Sequence, residues 1–552
     1  MSRLRSVLQS AFVLVAFTAP PSQAQWVLDG TLVSSASGSN MSPRVIPDGA
    51  GGAFIAWQYS GPSPQQVFVS RLLPDGEIAP GFPATGLPVS PDPTVRDLLG
   101  AGSDGDHGIL LGWLEPTRAM ATRLRGDGTP ATGWSVGGDA VALRGGPGLG
   151  LCADGVGGAW FWSREDISFC PDICYNSSTM WAQHIAPSGG SDTSPREFAS
   201  AAFYGAAQGT VRAGASGVGF MIGLGGSGVS NDVLRVVAPD SPQWSRSLDT
   251  QHGIVDAALD DGAGGALLVT EGSFGSLPAR LVHLTSTSAL DPGWPDGGVP
   301  VRSPDADLSS ITAVAGDAGS TLIAWAENGA AGTEVRMQKI AASGSLAPGW
   351  PAAGLVVCDA NGSRDEVALA PDGAGGAFVA WRDGRDGAGA DLYTHHVHAD
   401  GSLDPAFGAN GLGVVTLHAG VIDLSLAAVG PGAAVVAWSD RRSFAEIRAQ
   451  KLPLPGTLSV DPGARASVAL SGFVPNPSRE GRPRIAFTLA RDGDATLEVF
   501  DVLGRRVHEQ HLAGLAAGPH SLAVGRTLPA GLYGIRLRAG GETRTARGMI
   551  SR

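Results

Sequence analysis

The sequence predicts an all-β chain, an eight-bladed β-propeller followed by a small β-sandwich. Three observations carry this. A Gly-rich turn recurs eight times, a constant offset ties the start of the chain to its last repeat, and the pattern changes near residue 467. A period near fifty residues with several short apolar runs per unit is the mark of a propeller or related array.

Residues 1–24 read as a secretory signal. Arg3 and Arg5 give a positive start, Val7 to Ala19 is mostly apolar, and Ser22-Gln23-Ala24 presents small residues for cleavage. That apolar stretch is too short to span a bilayer, and no later segment has the length of a transmembrane helix. The mature chain is expected to begin near Gln25.

The repeat occupies residues 25–455. Its clearest copies are Pro47-Asp48-Gly49-Ala50-Gly51-Gly52 running into Ala53-Phe54-Ile55-Ala56-Trp57, and Pro371 to Gly376 running into Ala377 to Trp381. Aligned on the Gly pair, the Trp position falls at Trp57, Trp113, Ser163, Ile222, Thr270, Trp325, Trp381 and Trp438. The apolar runs are too continuous to alternate, as expected of strands covered on both faces. In copy seven, Glu366 to Ala370, Ala377 to Trp381, Asp391 to His398 and Leu412 to Leu417 read as four short antiparallel strands, the content of one blade.

A fourth-strand valine precedes the next turn by 15 residues at Val89, Val301, Val357 and Val414, and Val33 leads Asp48 by the same 15. No complete blade comes before Val33, and the eighth copy stops after its third strand near Leu452. Residues 31–35 are therefore expected to supply the missing strand and close an eight-bladed ring, which hides strand edges that would invite aggregation. Aromatics between strands three and four (Phe82, Trp294, Trp350 and Phe407) read as packing between blades.

Strand three carries a base in each copy: Arg71, Arg123, His184, Arg235, His283, Lys339, His396 and Lys451. Acids follow the Trp position at Glu115, Glu165, Glu327, Asp383 and Asp440. The two sets are expected to meet across the hairpin, as structure repeated in each blade.

After a linker at 456–466, residues 467–552 hold alternating runs divided by Gly, Asp and Pro, a small sandwich pattern. Here Phe473-Val474-Pro475-Asn476-Pro477, the Val499-Phe500-Asp501-Val502-Leu503-Gly504-Arg505-Arg506-Val507 centre and Leu528-Pro529-Ala530-Gly531-Leu532-Tyr533 resemble the C-terminal domains used in type IX secretion and the related FlgD-type immunoglobulin-like module. The resemblance implies an immunoglobulin-like sorting domain recognised by outer-membrane secretion machinery, and a mature chain secreted from or held on the outer surface of a Gram-negative-type bacterium. The propeller repeats also resemble those of large secreted bacterial proteins, which implies a fold and no defined activity.

A net charge of −13 with interspersed signs argues against nucleic acid as a partner. Of four cysteines, Cys170 and Cys174 form the disulfide candidate. No nucleophile elbow, P-loop, dinucleotide fingerprint or HExxH occurs, and no catalytic residue or cofactor is assigned. Two constellations bear weighing. Asp383, Asp386 and Asp391 in a Gly-rich loop form a calcium candidate against a solvated hairpin loop. His396 and His398 share a strand face, against ordinary strand histidines. The expected function is a non-catalytic binding or adhesion scaffold for a glycan or protein ligand. Its rivals are a secreted glycan-active hydrolase or lyase with carboxylates from separate blade loops, and a structural surface-layer component.

Overall fold

A computed structural model describes residues 26–453 and 469–551, less short intervals. Those intervals include 91–96, 142–147, 203–208, 272–278 and 302–307. The pair Cys170 and Cys174, Asp386, and the stretches 1–25 and 454–468 lie outside the described residues. The chain divides into two compact units, Met1–Pro453 and Leu454–Arg552.

Among the described residues, unit one holds eight four-stranded antiparallel sheets, numbered here one to eight along the chain: 39–88, 97–141, 148–202, 209–249, 254–300, 308–358, 364–415 and 422–452. In sheets one to seven each strand pairs with the one before it. Sheet eight draws its fourth strand from the other end of the chain, Thr31 facing Ala449 and Leu32 facing Arg448. The Val33 and Ser34 amides both donate to the Ile447 carbonyl, at 2.8 and 3.3 Å. The first strands of successive sheets touch in chain order, and that of sheet eight, Ile422–Gly430, touches that of sheet one, Ser39–Pro47.

The repeat motif has a local cause. Asp48 Oδ1 accepts from the Ala50 and Gly52 amides at 2.7 and 2.9 Å, closing the turn, and Asp104, Asp154, Asp261 and Asp372 do the same in their copies. Such side-chain-to-backbone bonds are what Asp offers a turn. A Cβ on Gly52 would sit 2.2 Å from the Leu72 carbonyl, so the last position admits glycine alone. Five of the turns lead into a strand whose Trp is fully buried: Trp57, Trp113, Trp325, Trp381 and Trp438.

Five of the strand-three bases do not meet the acids expected of them; the turn aspartates take them instead. Arg71 binds Asp48 and Arg123 binds Asp104 at 2.8 Å; His184 with Asp154, His283 with Asp261 and His396 with Asp372 lie at 3.0 Å. The register explains this. Each of these bases faces the residue three before the Trp position, as in Phe54 with Arg71 and Phe378 with His396. An acid two beyond the Trp lies about 16 Å further along the strand. Those acids serve the tryptophans and nearby arginines: Trp325 Nε1 donates to Glu327 at 2.7 Å and Trp381 Nε1 to Asp383 at 2.8 Å. In sheet four Arg235 faces Phe220, which moves the Trp position from Ile222 to Gly223.

The loop aromatics pack onto the following sheet. Trp350 Nε1 donates to the Ala399 carbonyl at 3.1 Å, Trp134 to Pro187 at 2.9 Å, and Trp26 to Pro74 at 3.0 Å. Four residues after each loop aromatic stands a glycine at positive φ. Gly86, Gly138, Gly354 and Gly411 lie against Trp57, Trp113, Trp325 and Trp381, and Gly30 lies the same way against Trp438. The N-terminal segment thus reproduces the tail of a repeat, aromatic, glycine and valine in step, at Trp26, Gly30 and Val33.

Unit two is a two-sheet sandwich. One sheet orders Ala469–Val474, Arg484–Leu489 and Gly518–Ala523; the other orders Arg506–Leu515, Gly493–Phe500, Gly531–Ala539 and Glu542–Ile550. Phe473, Ile485 and Phe487 of the first meet Leu497, Val499, Ile535 and Leu537 of the second in one core. Tyr533 O–H donates to the Pro529 carbonyl at 2.7 Å. The bond ties the start of this strand back to the corner that precedes it.

Buried Glu498 is the charge centre of that unit. Arg536 Nε donates to it at 2.7 Å, with Arg506 at 3.1 Å and Arg538 at 3.4 Å. The Arg536 hydrogen bonds, with help from Arg506, hold its carboxyl down at about 2. A depressed carboxyl stabilises the fold above its unfolded value near 4.5, and that contribution disappears as pH falls towards 2. Allowing for solvent around the arginines, it amounts to about 1–2 kcal/mol. Glu498→Gln is expected to lower the stability of this unit by that amount at pH 7 and to flatten its urea midpoint between pH 5 and pH 2, measured in the full chain by a probe in unit two.

Candidate functional site

Seven of the eight first strands carry a β-bulge. In sheets six, seven, eight and one, which adjoin in that order, it places Ser310, Glu366, Asp423 and Ser42 at φ of 55°, 49°, 52° and 53°. Left-handed backbone at a residue with a Cβ is strained, and such strain gathers at functional sites.

The four bulges are tied in series. The Glu366 amide donates to Ser310 Oγ at 2.9 Å, the Leu424 amide to Glu366 Oε2 at 3.3 Å, and the Ser42 amide to Asp423 Oδ2 at 3.1 Å. Val45 N–H adds a bond to Ser425 Oγ at 3.1 Å. The bulges of sheets six, seven and eight therefore each present a polar side chain to the sheet that follows.

Charge concentrates at the seventh bulge. Arg382 pairs with Asp365 across the hairpin and reaches Glu366 Oε1 at 3.2 Å. Burial raises the Glu366 carboxyl above the usual range; Arg382 opposes the shift, while Asp365 and Asp423 add to it. Hydrogen bonding to Asp365 raises the Arg382 guanidinium. Beside this group a cleft of about 250 Å³ is lined by Ser363, Asp365, Arg382, Gly384, Gly387 and Ala390. Chemically, the arrangement offers a fixed cation, an accessible carboxylate and a second carboxyl that takes up a proton more readily than usual.

The residues singled out from sequence lie elsewhere or are already engaged. Asp383 is buried and accepts from Trp381 Nε1, from Arg364 at 3.2 Å and from Arg385 at 2.7 Å. Burial works against its charge, yet the Arg385 and Trp381 hydrogen bonds outweigh it and hold the carboxyl below the ordinary range. Two guanidinium groups balance this acid, so the calcium candidate loses Asp383. Asp391, its partner across the hairpin, is buried as well, and Asp386 lies outside the described residues.

Of the histidines, His395 is buried with its ring nitrogens 2.9 and 2.8 Å from the His396 and Gly408 carbonyls. His396 spans two carboxylates, Asp372 at 3.0 Å and Asp404 at 3.1 Å, and the His398 ring lies 4.7 Å from it. Sequence reading named no partner for this pair; the fold supplies Asp404.

The bulge residues were not singled out, although a signal existed. Ser42, Ser310, Glu366 and Asp423 each stand six residues before the aligned turn position, at Asp48, Gly316, Asp372 and Val429. There a polar residue stands just before the mostly apolar second half of the strand.

No family model matches the chain, and no curated protein does. Among solved structures it is similar to a protein of unknown function from Dyadobacter fermentans DSM 18053, at 8% identity over 76% of this chain and 96% of that one, with a TM-score of 0.34. It is also similar to a eukaryotic initiation factor, at 10% identity over 90% and 92% of the two chains with a TM-score of 0.36. A third similarity is to prolyl oligopeptidase B from Galerina marginata, at 8% identity over 75% and 56% with a TM-score of 0.38. At these scores the likenesses carry no argument about function.

Proposed function

We propose that the chain is an exported binding scaffold, an eight-bladed β-propeller whose ligand face is the bulge cluster, joined to an immunoglobulin-like domain that directs type IX secretion. The observation that carries the binding reading is the run of four strained, polar bulges on adjoining sheets, with Arg382, Asp365 and Glu366 at a cleft. Among the described residues of unit one, no aromatic is counted among the exposed large hydrophobics. A protein or charged-glycan ligand held by ion pairs and hydrogen bonds suits this face better than a neutral sugar stacked on aromatic rings. The circuit of sheet contacts and the strand from residues 31–32 support the propeller. The sandwich order and the Tyr533 corner support the immunoglobulin-like domain.

Glu366 favours a second reading. A half-buried carboxyl with a raised proton affinity beside other carboxylates is what a general acid needs in glycan cleavage. One comparison separates the two. The mature chain is screened on glycan and protein arrays and on a polysaccharide panel, beside Glu366→Gln. The scaffold reading expects a captured ligand without turnover, and at least a tenfold loss of binding in the variant. Because ionised Glu366 is disfavoured in the fold, the variant is also expected to keep or raise its melting temperature. Turnover abolished by Glu366→Gln would replace the scaffold with an enzyme. For export, removal of residues 467–552 is expected to leave the chain in the periplasm of its native host, and undiminished release would refute the sorting role.

A further inference from the structure

The histidine pair of sheet seven is built differently from its counterparts, and the difference is one residue. In sheet five His283 also spans two carboxylates, Asp261 at 3.0 Å and Asp291 at 2.8 Å. The clamp is therefore part of the repeat. Two residues on, sheet five has Thr285 where sheet seven has His398. Strand alternation places His398 on the face of His396.

We infer that His396, His398 and Asp404 form a binding site for a divalent late transition metal, of which zinc is the model. Their ligand atoms all lie within 4.8 Å of one another. A tetrahedral zinc with bonds of ~2.0–2.1 Å holds its ligands roughly 3.3 Å apart, within reach of a rotamer change at partly exposed His398. Two imidazoles and a carboxylate are a common zinc donor set, and three protein ligands leave a fourth position open.

The surroundings are arranged as such sites require. Asp404 Oδ1 accepts from the Ala406 amide at 2.9 Å, which fixes the carboxylate and turns Oδ2 towards His396 Nδ1 at 3.1 Å. On the far side of the ring, Asp372 Oδ2 lies 3.0 Å from His396 Nε2, while Asp372 Oδ1 is held by the Ala374 and Gly376 amides. A carboxylate on the outer nitrogen orients a ligating imidazole and raises its basicity. In the metal-bound form Nδ1 gives up its proton and coordinates, Asp404 Oδ2 turns from hydrogen-bond acceptor to ligand, and Nε2–H stays on Asp372. The site needs no other residue to move far.

The test is zinc titration of the full mature chain at pH 7.5 against a chromophoric chelator, with cobalt spectra as a second readout. The expected result is one zinc per chain at this site and a tetrahedral cobalt spectrum. His398→Thr, which makes sheet seven resemble sheet five, should weaken that binding at least tenfold. Asp372→Asn should weaken it about 10–100-fold through the outer nitrogen. Thr285→His should add a second zinc. Zinc uptake that is absent, or unchanged in His398→Thr, would overturn the assignment. Circular dichroism of each variant establishes that loss of binding is not loss of fold.

Discussion

Removing residues 26–34 is expected to abolish the monomeric, cooperatively folded state of unit one. Trp26, Gly30 and Val33 hold three separate contacts. The Trp26 indole bonds Pro74 over the turn at Gly76, Gly30 packs on the Trp438 ring, and Val33 is fully buried against sheet eight. Losing the buried Trp and Val side chains alone costs on the order of 5 kcal/mol. The deletion also leaves Glu446–Leu452 as an open strand edge, a template for pairing with other molecules. The expected outcome is a lower urea midpoint with concentration-dependent association in light scattering. A single change, Gly30→Val, should move in the same direction. A Cβ there would meet the Trp438 ring at 2.3 Å, and φ of 85° excludes a branched side chain. A deletion variant that stays monomeric with an unchanged midpoint would show that the segment is an appendage.

Trp381→Ala is expected to destabilise the same unit by about 3–5 kcal/mol, the range for emptying a buried large aromatic site. The ring is fully buried between Gly411 and the core of sheets six and seven. Its N–H is one of several donors to Asp383, whose bonds to Arg364 and Arg385 persist in the variant. The loss is thus one of packing more than of charge, so Trp381→Phe should recover a large share of it. Val136→Ala, at an exposed site, provides the contrast and should change stability by no more than ~0.5 kcal/mol. Urea denaturation of the three variants measures the difference; equal midpoints for Trp381→Ala and Val136→Ala would remove the buried tryptophans from the account.

What could be read from the sequence was set by local chemistry. The Asp-Gly turns and the strands after them announce themselves because the turn bonds lie within four residues, as from Gly52 to Asp48. The strand boundaries of copy seven, observed at Arg364–Pro371, Ala377–Asp383, Asp391–Val397 and Leu412–Val415, follow the expected ones closely for that reason. Which acid meets which base was not legible, since it depends on register: Arg71 reaches back to Asp48 at the turn, while Asp383 is taken by the neighbouring Trp381 and two arginines. Copy four slipped by one residue because it has neither the tryptophan nor the turn aspartate, one of which anchors every other copy. Trp26 and Gly30 were legible and overlooked. Their spacing to Val33 matches Phe82, Gly86 and Val89, but they stand next to the expected cleavage site, away from any complete repeat.

The bulge cluster was the least accessible to sequence reading. Ser42, Ser310, Glu366 and Asp423 come from parts of the chain up to 381 residues apart, as Ser42 is from Asp423, and only adjacency of the sheets brings them into line. Apart from its place six residues before the turn, nothing local distinguishes Glu366 from an ordinary strand-end acid. Its raised carboxyl arises chiefly from burial, with Asp423 of the next sheet adding to its sequence neighbour Asp365, and the fold alone supplies the burial and Asp423.

Closure of the proposed ring by the start of the chain is tested most directly by a crosslink between Thr31→Cys and Ala449→Cys. These positions face each other in the antiparallel register, at a separation that suits a disulfide. Leu32→Cys with Ala449→Cys is one residue out and presents its sulfurs to opposite faces. Mass mapping of the oxidised chains should find the 31–449 crosslink at high yield and the 32–449 crosslink rarely. Equal yields in both, or none in either, would contradict the closed ring.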